Sequence, residues 1–210
     1  MFTHLILSGH FGVFLIAAFV LAITPGPGIM YVMARTLSGG KPDGIASVLG
    51  TGVGGLAHVL LATLGLSALL AASAQAFVVV KYVGAAYLLF LGVRSLREAR
   101  RMTHIDVPAR RGLKRTFLEG VLTEALNVKT ALFFLAFIPQ FIDHGFTAAP
   151  QFAFYGLICL AFNMAADIVV VLLAARLSRY FRGSAKPARA LRYGSGVMLL
   201  SLGTYVALSD

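Results

Sequence analysis

The chain predicts an all-α integral membrane protein: six transmembrane helices as two inverted three-helix halves, the first helix broken at Pro25-Gly26-Pro27. Three observations carry this reading. Hydrophobic residues make up 59% of the 210 residues and charged residues 12%, against roughly a quarter charged in average soluble domains. The apolar runs reach the ~20 residues that cross ~30 Å of hydrocarbon. Sixteen of the eighteen Lys and Arg residues fall on one side once those runs are read as spans.

The spans read 11–34, 45–71, 77–97, 117–138, 152–175 and 193–208. Basic residues cluster at Arg35 and Lys41, between Arg94 and Arg115, and between Arg176 and Arg192. Positive loops stay cytoplasmic, and the clusters follow spans one, three and five, so both termini are expected outside a bacterial cytoplasmic (inner) membrane. Residues 1–210 form one transmembrane domain, with halves 1–97 and 116–210 joined by a basic cytoplasmic loop, 98–115. That loop anchors the topology and lies where anionic lipid headgroups would meet it. The net charge of +10 is thereby explained without nucleic acid. Six spans leave no room for a soluble catalytic domain, and no phosphate loop, nucleophilic triad or cofactor motif is present. The single cysteine, Cys159, excludes an internal disulfide framework and a multi-cysteine metal site. The first ten residues hold no Lys or Arg, so the basic start of a cleaved leader is missing and the first helix is expected to be retained.

A repeat is visible in the third and sixth spans. Lys81-Tyr82 followed by Leu88-Leu89-Phe90-Leu91-Gly92 corresponds to Arg192-Tyr193 followed by Leu199-Leu200-Ser201-Leu202-Gly203, at a constant offset of 111. Three spans per half invert the second half relative to the first, as in many secondary transporters.

Chemistry concentrates at one depth. In Thr24-Pro25-Gly26-Pro27-Gly28 two prolines delete backbone donors, and two glycines permit unusual dihedrals. The freed carbonyls near Leu21–Ile23 need partners, and a new half-helix starting at Pro27 offers N–H groups to an anion. The fourth span carries Glu124, Asn127 and Lys129, and the fifth Asn163 and Asp167. A charge near the bilayer centre costs about 2.5–3.5 kcal/mol, so each should face a cavity or a partner. Two pairings are open for Lys129. Glu124 lies about 140° around a regular helix and requires local unwinding, whereas pairing with Asp167 leaves Glu124 to titrate. At ~1.5 Å per residue, Pro25, Asn127 and Asp167 all fall near the midplane, measured from Arg35, Arg115 and Arg176. Three irregularities at one level describe a central binding site.

Other features are packing candidates. Gly50-x-x-x-Gly54 gives the second span a small face, whose partner lies within one subunit or across a homo-oligomer. His58 reads as a packed histidine, Tyr82, Tyr87 and Tyr193 as cavity or interfacial residues, and Phe133, Phe134 and Phe137 as apolar packing.

Over nearly its full length the chain resembles the lysine exporter family (LysE/RhtB). The resemblance rests on Thr24-Pro25-Gly26-Pro27, Gly50 and Gly54, and the run Lys81-Tyr82-Val83-Gly84-Ala85-Ala86-Tyr87-Leu88. It continues through Phe117-x-x-Gly120, Asn127-x-Lys129 and Phe137-x-Pro139-Gln140-Phe141. Gly28 stands where the family pattern usually has Asn, and Val128 where it usually has Pro. The lost proline weakens the expectation of a second broken helix.

The resemblance implies a secondary active, proton-coupled exporter of amino acids or related small metabolites. Thr24, Pro25, Gly26, Pro27 and Lys129 would hold the substrate carboxylate, and Asn127 and Asn163 would orient it. Glu124 or Asp167 would take its ammonium group or the coupling proton. A divalent metal-cation exporter is the alternative, with Glu124, Asn127, Asn163 and Asp167 as oxygen donors; Lys129 opposes it.

Overall fold

A computed structural model describes residues 9–66, 68, 74–101, 109–143, 145–176 and 186–208; among these there are helices and turns and no strand. Long apolar runs make the helices, and proline, glycine or a capping side chain ends them. Helix α1 spans Gly9–Ile23 and stops where Pro25 brings no N–H. Helix α2 begins with Pro27 at its first position and runs Pro27–Leu61, continued by a π-helical turn, Ala62–Leu66. Then come α3, Ala74–Arg101, α4, Leu113–Ala125, and α5, Val128–Ala136, followed by a 3₁₀ turn, Ile138–Phe141. Helices α6, Ala148–Arg176, and α7, Lys186–Leu208, complete the chain. Among the described residues, Pro27–Gly65, Leu113–Phe141 and Ala148–Arg176 are long and apolar enough to cross a membrane, and Phe11–Ile23 is a shorter apolar helix.

Helix α2 is two arms rather than one rod. Gly40 adopts φ 76°, ψ −163°, a left-handed backbone that suits glycine. A Cβ on Gly44 would lie 2.5 Å from Thr36 Oγ1, whereas residues eight apart on a straight helix are separated by ~12 Å. The chain therefore doubles back, and the connection expected over 35–44 shrinks to a sharp turn. Pro42 falls at the start of the returning arm, where its missing N–H is no loss.

Small residues set the packing. The returning arm of α2 runs beside α4 through Gly50, against Phe117 and Gly120, and Gly54, against Val121, Glu124 and Ala125. The Gly50–Gly54 face thus packs within the chain. On its other side α2 lies antiparallel to α6, with Gly44 against Val171, Gly52 against Met164 and Gly55 against Leu160.

Helices α3 and α7 pack antiparallel with a symmetric set of contacts. Gly92 meets Leu200 and the Gly196 carbonyl, while Gly203 meets Leu89 and the Ala85 carbonyl. Adding 111 to Ala85, Leu89 and Gly92 gives Gly196, Leu200 and Gly203, so equivalent positions of the sequence repeat exchange equivalent contacts. Lys81 belongs to this repeat, but its side chain lies outside the described residues. Beyond the glycine faces an aromatic core forms around Phe14, Phe133, Phe137, Phe141, Phe152 and Tyr155, with the Phe14 and Tyr155 ring centroids 4.5 Å apart. Buried Gln151 ties the turn before α6 by accepting from Asp143 N–H at 2.8 Å and donating to the Asp143 carbonyl at 2.9 Å.

A methyl at Gly50 would overlap the Phe117 carbonyl oxygen, whereas one at Gly65 would meet nothing within 4 Å. Gly50→Ala is expected to cost about 1–3 kcal/mol, lowering the thermal midpoint of the detergent-solubilised protein by ~2–10 °C. Gly65→Ala should leave it within ~1 °C. Equal midpoints for the two variants would contradict the α2–α4 packing.

Candidate functional site

Two interrupted helices meet at the centre of the structure. The first break is the one the prolines dictate. Thr24 closes α1, its N–H donating to the Val20 carbonyl at 3.1 Å and its hydroxyl to the same oxygen at 2.6 Å. Pro25 brings no N–H to the Leu21 carbonyl, which takes a tighter-turn bond from Thr24 N–H at 3.2 Å; the Leu21 and Thr24 carbonyls both accept from Lys129 Nζ, at 3.2 and 2.7 Å. A cation is thereby placed on the negative end of a half-helix. Gly26 makes this approach feasible, since a Cβ there would lie 3.1 Å from Lys129 Nζ.

The second break occurs without a proline. Helix α4 ends at Ala125, and Asn127 caps α5, its Oδ1 accepting from Lys129 N–H at 3.1 Å. Asparagine favours such N-cap positions, because its side chain replaces the missing helical acceptor. The second broken helix therefore exists despite Val128. Its freed Glu124 carbonyl accepts from Asn127 N–H at 2.9 Å and from His58 Nε2 at 2.7 Å. A carbonyl can only accept, so His58 Nε2 carries the hydrogen. His58 is a packed residue with a definite task, closing the end of α4.

The unwinding at Leu126–Asn127 separates the charges of Glu124 and Lys129 instead of pairing them. Neither Glu124 nor Asp167 forms an ion pair with Lys129, which overturns both pairings open in the sequence; Lys129 Nζ serves the α1 carbonyls. The Glu124 carboxylate accepts from Asn127 Nδ2 at 3.0 Å and Thr130 Oγ1 at 2.7 Å. It also lies beside Gly28, where a Cβ would be 2.6 Å from Oε2. The protein's own carboxylate thus lies beside the first turn of α2, and Gly28 supplies the room for it. Asp167 accepts from Thr51 Oγ1 at 3.0 Å. Asn163 donates to the Cys159 carbonyl of its own helix at 2.9 Å.

Glu124, Asn127, Lys129, Asn163 and Asp167 line one cavity of about 20 Å³, room for roughly one water. Pro25, Gly26 and Pro27 line a second cavity of about 340 Å³, and Asn127 and Lys129 form the wall common to both. Every candidate site residue therefore sits at or beside one junction. Of the tyrosines, Tyr87 lines the wider cavity, while Tyr82 and Tyr193 are exposed. Thr51 and Thr130, which hold the two carboxylates, escaped the sequence reading; the signal was their position next to Gly52 and Lys129.

Two further acidic residues anchor the basic end. Buried Arg35 donates to Glu119 Oε2 at 2.8 Å, and Glu119 Oε1 accepts from Arg111 at 2.7 Å and Arg115 at 2.9 Å. Asp43, 1% exposed, pairs with Arg110 at 3.3 Å. These contacts tie both arms of α2 to α4 and the end of the basic loop, of which residues 102–108 lie outside the described residues.

Residues 19–210 match the family model described as LysE type translocator. The chain belongs to this family. It is 27% identical to a homoserine/homoserine lactone efflux protein of Salmonella typhimurium, covering 92% of this chain and 94% of the relative. It is 29% identical to a leucine efflux protein of Salmonella choleraesuis over 64% of each. An uncharacterized membrane protein of Vibrio cholerae is 31% identical over 80% of this chain and 82% of its own length. No solved structure matches the chain. As a LysE type translocator it is a membrane transport protein and not an enzyme. The divalent-cation alternative finds no support, for among the described residues no three His, Cys, Asp or Glu side chains gather.

In this translocator Lys129 is a structural donor. Lys129→Met keeps the length but removes the two hydrogen bonds to the Leu21 and Thr24 carbonyls, which is expected to cost about 1–3 kcal/mol. The measurement is the thermal midpoint in detergent, and an unchanged value would show that the Leu21 and Thr24 carbonyls are satisfied without Lys129.

Proposed function

We propose that this LysE type translocator is a secondary active, proton-coupled exporter of amino acids or closely related small metabolites, working by alternating access. The observation that carries the reading is the junction itself: two buried carboxylates, one buried ammonium and two interrupted helices around one cavity. The names of the Salmonella relatives, homoserine/homoserine lactone efflux and leucine efflux protein, point to the same class of cargo.

Roles follow from what each group already does. An ammonium has three N–H donors, and Lys129 spends two on α1. The third is left for a substrate carboxylate beside Thr24, Pro25, Gly26 and Pro27. Glu124 is occupied by Asn127 and Thr130. Among the described residues Asp167 accepts a single bond, from Thr51, and is the better receiver of a substrate ammonium or a coupling proton. Asn127 and Asn163 orient the ligand. The cavity holds about one water, so loading needs helix movement.

Six spans in two inverted halves, 1–97 and 116–210, fit this cycle. The reciprocal α3–α7 contacts at offset 111 and the paired breaks in the first and fourth spans support that arrangement. With the basic ends cytoplasmic, both termini lie outside the inner membrane, and the Arg35–Glu119 and Arg110–Asp43 ion pairs stand on the cytoplasmic side.

The test is proton-driven leucine and homoserine transport in proteoliposomes. Each charge-assisted contact is worth about 1.5–3 kcal/mol, so Glu124→Gln and Asp167→Asn should each lose at least ~10-fold in transport. Full gradient-driven transport by both variants and by Lys129→Ala would defeat the assignment.

A further inference from the structure

The wide cavity on the other side of Lys129 differs in sign from the central one. Its charged lining is Arg94, Arg192 and Lys129 against a single carboxylate, Glu98. The small cavity has Glu124 and Asp167 against Lys129. The two chambers thus share a wall and attract opposite charges.

We propose that the 340 Å³ cavity is a second ligand site, a loading station that receives an apolar α-amino acid by its carboxylate before the ligand reaches Glu124 and Asp167. The proposal rests on the export reading for its direction, because Arg94 and Arg192 lie at the basic, cytoplasmic ends of α3 and α7. The chemistry at the mouth is suited to a carboxylate. Arg94 uses Nε on Glu98 Oε1 at 2.7 Å, and among the described residues its two Nη groups make no further bond. Arg192 also pairs with Glu98, joining α7 to α3, and the Ser95 hydroxyl donates to the Arg192 carbonyl at 2.9 Å. Burial alone would raise the Glu98 carboxyl, but the Arg94 hydrogen bond and the charges of Arg192 and Arg94 bring it below the usual carboxylate range. It stays ionised and holds the two guanidinium groups in place.

Between mouth and junction the walls are apolar: Met30, Leu91 and Leu199. They match an aliphatic side chain. A zwitterion entering carboxylate-last would meet three cations ahead of its ammonium, so the station selects on the acid group and leaves the amine to the inner chamber.

Binding of radiolabelled isocaproate, which is leucine without its ammonium, to the detergent-purified full-length protein tests this without any gradient. Isocaproate should bind and isoamylamine, leucine without its carboxylate, should not. Loss of the contact to the solvent-screened Arg94 side chain in Arg94→Gln should weaken isocaproate by about 3–5-fold. Leu91→Trp, which fills the cavity, should also weaken it, while Arg97→Gln, a neighbouring cation outside the lining, should leave it within ~2-fold. Equal isocaproate affinity in wild type and Arg94→Gln, or tighter binding of isoamylamine, would overturn the proposal. So would an anionic phospholipid that copurifies with wild type, is lost in Arg94→Gln and excludes isocaproate. Isocaproate binding by a protein that transports neither leucine nor homoserine would uphold this site and count against export alone.

Discussion

The structure turns on how one break in a helix is closed by another. Interrupting α1 and α2 at Thr24–Gly26 exposes a negative carbonyl end and a positive amide end, side by side and away from solvent. The segment from Glu124 to Lys129 lies at both ends. Its ammonium goes to the Leu21 and Thr24 carbonyls, and its carboxylate lies against Gly28 at the start of α2. This requires Glu124 and Lys129 to point in different directions, which a continuous helix forbids and the unwinding at Asn127 allows. Each break is thus the condition for the other. A lone buried lysine costs about 2.5–3.5 kcal/mol on insertion scales; here the cost is offset by hydrogen bonds to the Leu21 and Thr24 carbonyls.

The glycines follow from the same constraint. Gly26 and Gly28 stand where Lys129 and Glu124 arrive, and Gly50 and Gly54 let α4 lie against α2 closely enough for His58 to reach the Glu124 carbonyl. In an apolar medium there is little hydrophobic gain from bringing helices together. Close backbone approach and buried hydrogen bonds must supply the cohesion instead. The small residues are therefore concentrated near the polar junction and along the α3–α7 seam rather than spread evenly.

Much of this was legible in the chain. The helical class followed from apolar run length, and the first break from two prolines in three residues. The convergence of Pro25, Asn127 and Asp167 followed from counting residues to the basic clusters. What was not legible shares a physical cause: it depends on which way a side chain points across an interface. Asn127 ends a helix as effectively as a proline, but a capping asparagine and an ordinary polar one look alike in sequence. The choice of Lys129 between two carboxylates had a third answer, backbone carbonyls, which residue types do not reveal. Asp43 and Glu119 were hidden among basic residues, where a carboxylate reads as dilution of charge and not as a buried partner for Arg110 and Arg35. The reciprocal α3–α7 contacts gave physical content to a repeat that abundant leucine and glycine had obscured.

The contacts also divide the molecule along a line other than its midpoint. Helices α2, α4 and α6 are bound together by the glycine faces, the Thr51–Asp167 and His58–Glu124 hydrogen bonds and the ion pairs of Arg35 and Arg110, and α1 joins them by packing Phe11 and Phe14 on Phe154 and Tyr155 of α6. Helices α3 and α7 pack chiefly on each other and meet the remainder mainly through α5. The wide cavity opens along this weaker boundary, and α5 is the short half-helix whose first turn carries Lys129. A displacement of the α3–α7 pair would therefore be felt first at α5, hence at the lysine that closes the first break. Access to the carboxylates and integrity of the junction are coupled through one residue. On the alternating-access reading, a ligand carboxylate taking the third Lys129 N–H would draw on the same ammonium that holds the α1 carbonyls, so ligand binding and closure of the inner cavity bear on one group.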